Sequence, residues 1–474
     1  MTERGNATNR LVIRGGRVID PSQSIDRIDD VFIAEGLIER LGAATTTGLR
    51  SSTRSVAVSP PPPPPPLEGA GHPSSIDAGG LIVCPGLIDM HVHLREPGGE
   101  HKETIASGGA AAAAGGFTAV ACMPNTTPAI DDVETLRRVR EAAARTLHCR
   151  AYPIAAITKG RRGAELVDMV ALKRGGAVAF SDDGDGVEDD SVMRAAFNLA
   201  KKIDALIIQH CEFKSRSAGG VMHKGAVSQR VGLAGIDPSA EEAMIERDLG
   251  LVRASGGRYH VAHISTARAV EMVRQAKRQG LPVTAEVCVH HLILTDEACG
   301  EQDPNTKMHP PLRSEEDVAA CVAGLCDGTI DCVVTDHAPH SDEEKGVGFR
   351  DAPFGIVGLE TALPLCLTKL VEAGRLSWME LLGRMSSNPA LVLGVRGGTL
   401  TPGSPGDITL IDPKVRWRID RRRFRSKSAN APFGASARLV CAPMLICCPS
   451  LMIRKKTWRS TRSPPLAMTR VAPS

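Results

Sequence analysis

The stretch Gly86–Gly98, GLIDMHVHLREPG, ends an apolar run with two histidines one residue apart, His91 and His93, followed by Arg95. Alternate residues of an extended strand share a face, so both imidazoles and the guanidinium leave the backbone together. Imidazole nitrogens ligate zinc and similar metals, whereas a guanidinium stays cationic and matches a carboxylate. Other apolar runs end in the same kind of residue: FSDDG in Asp182 and Asp183, QHCE in His210, VAHIS in His263 and TDHAPH in Asp336. Imidazoles and carboxylates in this combination form a ligand set for zinc or a similar borderline metal. A carboxylate shared between two ions would make it a two-metal site. Each fragment alone says little, since an HxH pair is commonly structural and Asp-Asp-Gly is commonly a turn. The repetition at strand ends carries the metal reading. His290 and His291 also end an apolar run and are read as packing or hydrogen-bonded residues.

These residues need elements that bring them together. Between residues 81 and 395 the chain alternates short apolar runs with helix-like segments such as EDDSVMRAAFNLAKKI and TARAVEMVRQAKRQG. The runs are GLIDMHVHL, FTAVACMP, CRAYPIAAI, GAVAFSDD, ALIIQHCE, RYHVAHIS, PVTAEVCVHH and DCVVTDHAPH. Continuous apolar strands separated by helices predict an α/β chain with a parallel sheet closed into a (β/α)8 barrel. In that architecture the C-terminal ends of the strands share one mouth. Residues 1–80 carry β-like runs and Gly-Gly turns, expected as a small antiparallel sheet. Residues 396–433 are expected to complete it as a small β-sandwich domain. A segment at about 42–75, with Pro60 to Pro66 in succession, reads as an exposed insertion, because proline cannot donate to a ladder.

Composition narrows the classes. The 474 residues are 42% apolar and 23% charged, as in ordinary globular proteins, and the net charge of +3 is too small to argue for nucleic acid. The N-terminus MTERGNATNRLVIRGG lacks the apolar core of a secretory signal, and no run suits a membrane span. Thirteen cysteines without a CxxC pair read as reduced thiols, which places the expected location in the cytoplasm.

The motifs DMHVHLREPGGEHKET, MPNTTP, FSDDG, QHCE, VAHISTARAV, TDHAPH and APFGIVGLE resemble those of the bacterial, class I type, dihydroorotases of the amidohydrolase superfamily. The resemblance runs from about residue 10 to residue 433, apart from the proline-containing insertion. HLREPG together with PNT favours dihydroorotases over allantoinases and hydantoinases or dihydropyrimidinases, which usually carry a carboxylated lysine where FSDDG stands. The resemblance implies reversible cyclisation of N-carbamoyl-L-aspartate to L-dihydroorotate, the third step of pyrimidine synthesis, with one or two Zn2+ per subunit. It implies His91, His93, Asp183, His210, His263 and Asp336 as metal ligands, with Asp183 bridging in preference to Asp182. It makes Asp336 the catalytic acid–base group. The substrate-binding residues it implies are His93, Arg95, Asn125, His309, His340, Phe354 and Gly355. A homodimer or a complex with aspartate carbamoyltransferase would suit the family. A catalytically silent scaffold for that transferase would have lost metal ligands, and none is lost here.

Three departures stand out. The family's NPPLR reads HPPLR, with His309 in the asparagine position. The proline-rich segment is inserted. After Phe433 the family-like pattern stops, and residues 434–474 are expected to be an aberrant, unpacked tail, as a shifted reading frame would produce. The run RRRFR, Arg421 to Arg425, is read as a solvated face.

Overall fold

The structure, a computed structural model, describes residues 10–42, 74–145, 148–433 and 438–447. The proline-rich segment lies almost wholly outside the described residues.

The chain is α/β with parallel strands at its centre. Leu87–Val92 pairs with Phe117–Cys122, which pairs with Arg150–Pro153, all parallel. A second parallel set runs Leu206–Gln209, Arg258–Val261, Val283–Cys288 and Cys332–Val334. Single-residue bridges join the sets: Phe180 pairs with both Ala155 and Ile207, and Val92 pairs with His337. Met90, Ala121, Ile154, Ala179, Ile208, Ala262, Cys288 and Val334 form one buried cluster, each from a different parallel segment. The expected helices are present as Asp190–Lys202 and Ala267–Arg278, each capped at its start by an Asp or Thr side chain.

The run GAVAFSDD differs from expectation by forming no strand beyond its bridges at Phe180. The cause lies at its end. The Asp182 carboxylate accepts the backbone N–H groups of Ile157 and Thr158 at 2.8 and 3.0 Å, and the Thr158 hydroxyl as well. A side chain thus satisfies amides that a longer ladder would use.

The flanking segments build a seven-stranded sheet, mixed rather than purely antiparallel. Arg10–Asp20 pairs antiparallel with Ile25–Ala34 but parallel with Ser74–Asp77 and Ile82–Pro85. Ile408–Arg418 then pairs antiparallel with Ile82–Pro85, so chain ends far apart in sequence share one core of Ile13, Val31, Val83, Ile408 and Leu410.

The tail corrects a second expectation. Arg438–Cys447 is a strand paired antiparallel with Ile408–Arg418, where the sequence reading places none. Leu439, Val440, Leu445 and Ile446 are residues that strands accept. Pro443 falls at a register shift, where a missing N–H interrupts no regular ladder. The expectation of an unpacked tail for the other residues after Phe433 falls outside the described ones.

Candidate metal centre and substrate pocket

His91, His93, Asp183, His210, His263 and Asp336 converge, all buried. His91 and His93 leave the end of Leu87–Val92; His210 follows Leu206–Gln209, and His263 follows Arg258–Val261 by two residues. Asp183 lies at the centre. Its Oδ1 is 3.3 Å from His91 Nε2, 3.6 Å from His263 Nε2 and 3.7 Å from His210 Nδ1. Its Oδ2 is 3.5 Å from His93 Nε2. Two groups result, His91–His93–Asp183 and Asp183–His210–His263, each with candidate ligand atoms within 4.8 Å of one another and Asp183 in both. Asp336 Oδ1 stands 2.9 Å from His93 Nε2 and 3.6 Å from His91 Nε2.

The donor set fits metal ions. His91 Nε2 and Asp183 Oδ1 are buried with no hydrogen-bond partner, an expensive arrangement unless something else meets them. His91 Nδ1–H donates to Glu286 Oε1 at 2.6 Å, which turns the Nε2 lone pair toward Asp183. Metal-binding histidines are usually held this way, by a carboxylate on the far nitrogen. Glu286 also stands 3.2 Å from His260 Nε2. Asp182 faces away from the centre, bound to the Ile157 and Thr158 amides.

Charges in the centre reinforce one another. Burial works against the Asp183 carboxylate, but the imidazoles of His91, His210 and His263 outweigh it and hold its pKa well below the usual range. Asp336 is likewise lowered: burial opposes its charge, and His91 and His93 overcome that. Burial also disfavours His91 as a cation, yet Asp183, Glu286 and Asp336 together raise its pKa well above that of an ordinary imidazole when no ion is bound, and a metal ion at Nε2 would take that proton's place. Three residues here, Arg95 (φ 59°), His263 (φ 30°) and Asp336 (φ 46°), occupy the left-handed region although none is glycine. Such conformations are costly and cluster at functional sites.

The remaining residues line one side of the centre. Arg95 Nε donates to the Pro339 carbonyl at 3.3 Å, and its Nη2 lies 3.4 Å from His340 Nε2. Burial lowers the Arg95 pKa to about 10, so it is still a cation at neutral pH. Asn125 Oδ1 accepts from His93 Nδ1 at 2.8 Å. His340 Nε2–H donates to the Phe354 carbonyl at 2.9 Å. Gly355 has φ +127°, and a Cβ there would stand 2.7 Å from that of Ala338, so glycine is required. His309 Nε2–H donates to Glu212 Oε1 at 2.6 Å, and its ring packs 4.8 Å from Phe354 and 5.2 Å from His210. Glu212 is also 3.7 Å from His210 Nε2.

Sequence reasoning missed Glu286, Glu212 and Asp89. Asp89 Oδ2 accepts the Thr335 hydroxyl at 2.6 Å, and its Oδ1 accepts the His91 N–H at 3.1 Å, so it fastens the first strand to the last beside the centre. One signal was available: Asp89 shares the His91 and His93 face, and Glu286 interrupts an apolar strand.

Solved structures share this fold. L-hydantoinase (dihydropyrimidinase) from Arthrobacter aurescens superposes with a TM-score of 0.78 at 24% identity, covering 92% of this chain and 94% of that one. Dihydropyrimidinase from Brevibacillus agri gives a TM-score of 0.76 at 21% identity, covering 92% and 93%. The chain therefore shares their fold. Residues 80–269 match the Dihydro-orotase-like family. Dihydroorotase of Pelotomaculum thermopropionicum is 49% identical over 90% of this chain and 94% of that protein, and dihydroorotase of Solibacter usitatus is 48% identical over 90% and 94%. The chain belongs to the dihydroorotase family. No helix among the described residues is long and apolar enough to cross a membrane.

Proposed function

We propose that the protein interconverts N-carbamoyl-L-aspartate and L-dihydroorotate with exchange of one water. The observation that carries this reading is the pair of His/Asp groups sharing Asp183, with a half-buried arginine beside them. The parallel pairings, with bridges at Phe180 and Val92, support reading the central strands as a (β/α)8 barrel, and the core under the mixed sheet supports reading that part as a small β-sandwich domain. Zinc suits the donors: His91, His93 and Asp183 would hold one ion, Asp183, His210 and His263 a second, with Asp336 completing the set. Such ions, when bound, make water nucleophilic near neutral pH and polarise a carbonyl.

The protein's own groups supply the rest. In the hydrolytic direction water attacks a ring amide carbonyl and the C–N bond breaks. Asp336, held ionised and 2.9 Å from His93, takes the water's proton and delivers it to the departing ring nitrogen. Arg95 pairs with the substrate's free carboxylate through its planar fork. Asn125 and His340 share that end, while His309, Phe354 and Gly355 bound the ring. A hydantoin lacking the carboxylate would leave the Arg95 cation unmatched, which favours dihydroorotate over the substrates of the hydantoinase-type fold relatives.

The test is metal content measured alongside dihydroorotate hydrolysis. Removing metal with a chelator should abolish turnover, and zinc should restore it. Full activity in metal-free protein would overturn the reading, as would a preference for hydantoin over dihydroorotate.

A further inference from the structure

The strand Val283–Cys288 runs directly into the short helix Val289–Leu292, and Cys288, His290 and His291 are all buried there. One ligand-capable atom from each lies within 4.8 Å of the other two. The reaction proposed above uses none of them. His290 Nε2 and His291 Nδ1 are buried without a hydrogen-bond partner, which is uncommon for two adjacent side chains in a folded core. The rings meet edge to face, with centroids 4.4 Å apart.

His291 gives the clearest sign. Its Nε2–H donates to the Pro310 carbonyl at 3.0 Å, so Nδ1 carries a free lone pair. One nitrogen anchored to a backbone carbonyl and the other left open is how ligating histidines are commonly prepared. A neighbouring thiol adds a soft donor.

We propose that Cys288, His290 and His291 bind a thiophilic divalent ion of the zinc or cadmium class, at a site separate from the Asp183 centre. One thiolate and two imidazoles suit such ions. In a tetrahedral site, bonds of about 2.3 Å to sulfur and 2.0–2.1 Å to nitrogen put two donors on one ion about 3.3–3.6 Å apart. Donors that lie within 4.8 Å of one another therefore close by up to about 1 Å or slightly more when the ion binds, through side-chain rotation. Binding releases the Cys288 proton to solvent. The His291–Pro310 hydrogen bond links this site to the segment that carries His309. The inference does not depend on the dihydroorotase reading, because its readout requires no turnover.

Cobalt(II) titration of the full-length protein under a non-thiol reductant tests it. A thiolate bound to cobalt absorbs strongly in the near ultraviolet, and the Asp183 centre has no cysteine to contribute. The expected result is a charge-transfer band with the intensity of one cobalt–thiolate per chain, over and above cobalt taken up by the Asp183 centre, that disappears in Cys288→Ser and weakens in His291→Gln. Cobalt uptake without the band, or a band unchanged in Cys288→Ser, would overturn the proposal. If Cys288→Ser does not fold, His290→Gln and His291→Gln decide: an unaltered band and cobalt count in both overturn it.

Discussion

Glu286 and Arg95 divide the labour beside the metal-ligand set. Glu286 acts through His91, whose Nδ1–H it accepts at 2.6 Å. Glu286→Gln keeps the shape but weakens the acceptor and its charge. Metal affinity should fall about 10–100-fold, the usual scale for such supporting carboxylates; metal-buffer titration measures this, and unchanged affinity would remove Glu286 from the site. Arg95 makes no contact with the ligand nitrogens of the centre and is a poor ligand because it carries no lone pair at neutral pH. Arg95→Met should retain full metal content while weakening dihydroorotate binding by about 2–5 kcal/mol, the scale for leaving one partner of a buried charge pair alone. Normal substrate binding in that variant would show that the carboxylate is held elsewhere. The difference in legibility has a physical basis. His91, His93 and Arg95 stand out because their spacing puts them on one face of a strand. Glu286 and Asp89 do not, because a single carboxylate in an apolar strand gains its meaning only from the strand it meets in space.

At the scale of elements, the sequence pattern announced the helices and most strands but not their ends. Runs such as PVTAEVCVHH and DCVVTDHAPH shorten to Val283–Cys288 and Cys332–Val334: the first passes straight into the short helix Val289–Leu292, and beyond the second His337 pairs only through single bridges to Val92 and Ile356. The loop after the last of these strands is fixed from a distance. Glu360 accepts the backbone N–H groups of Arg425 and Ser426 at 2.7 and 3.2 Å, joining it to the segment that leads toward the tail. Burial raises the Glu360 pKa from 4.5 to about 7, more than those two amides lower it. The folded protein therefore holds a proton here that the unfolded chain has already lost. Stability from this group is fully present below about pH 4.5 and declines as pH rises toward 7. Glu360→Gln removes the titration, so urea midpoints measured across that window should fall less steeply with pH than in the wild type. Equal slopes would mean that Glu360 is ionised in the folded state throughout.

Across the whole molecule, the terminal sheet has a core of its own, although Ile19, Ile82, Cys84 and Ile411 pack it against the large cluster around the parallel strands. The parallel segments and the residues just after them carry every candidate ligand, while the mixed sheet packs Ile13, Val31, Val83, Ile408 and Leu410 in a separate cluster. Composition alone hid the last part of that sheet: prolines and basic clusters after Phe433 suggest no strand, yet Arg438–Cys447 pairs along Ile408–Arg418. That pairing has a consequence for stability. Ile408, Leu410 and Ile411 are buried, and their strand would become the sheet's edge if the last one were removed. An exposed edge with apolar neighbours both loses burial and invites pairing between molecules. Protein ending at Phe433 should therefore melt at a lower temperature, by at most about 2–4 °C for each kcal/mol lost, the scale for domains of about 150–250 residues, and should aggregate more readily. Its metal content should not change, because His91, His93, Asp183, His210, His263 and Asp336 all lie in the other core. Calorimetry and metal analysis on the shortened and full-length proteins separate the two effects. An unchanged melting temperature would mean that the last strand contributes no stability, and lost metal would mean that the two cores are coupled.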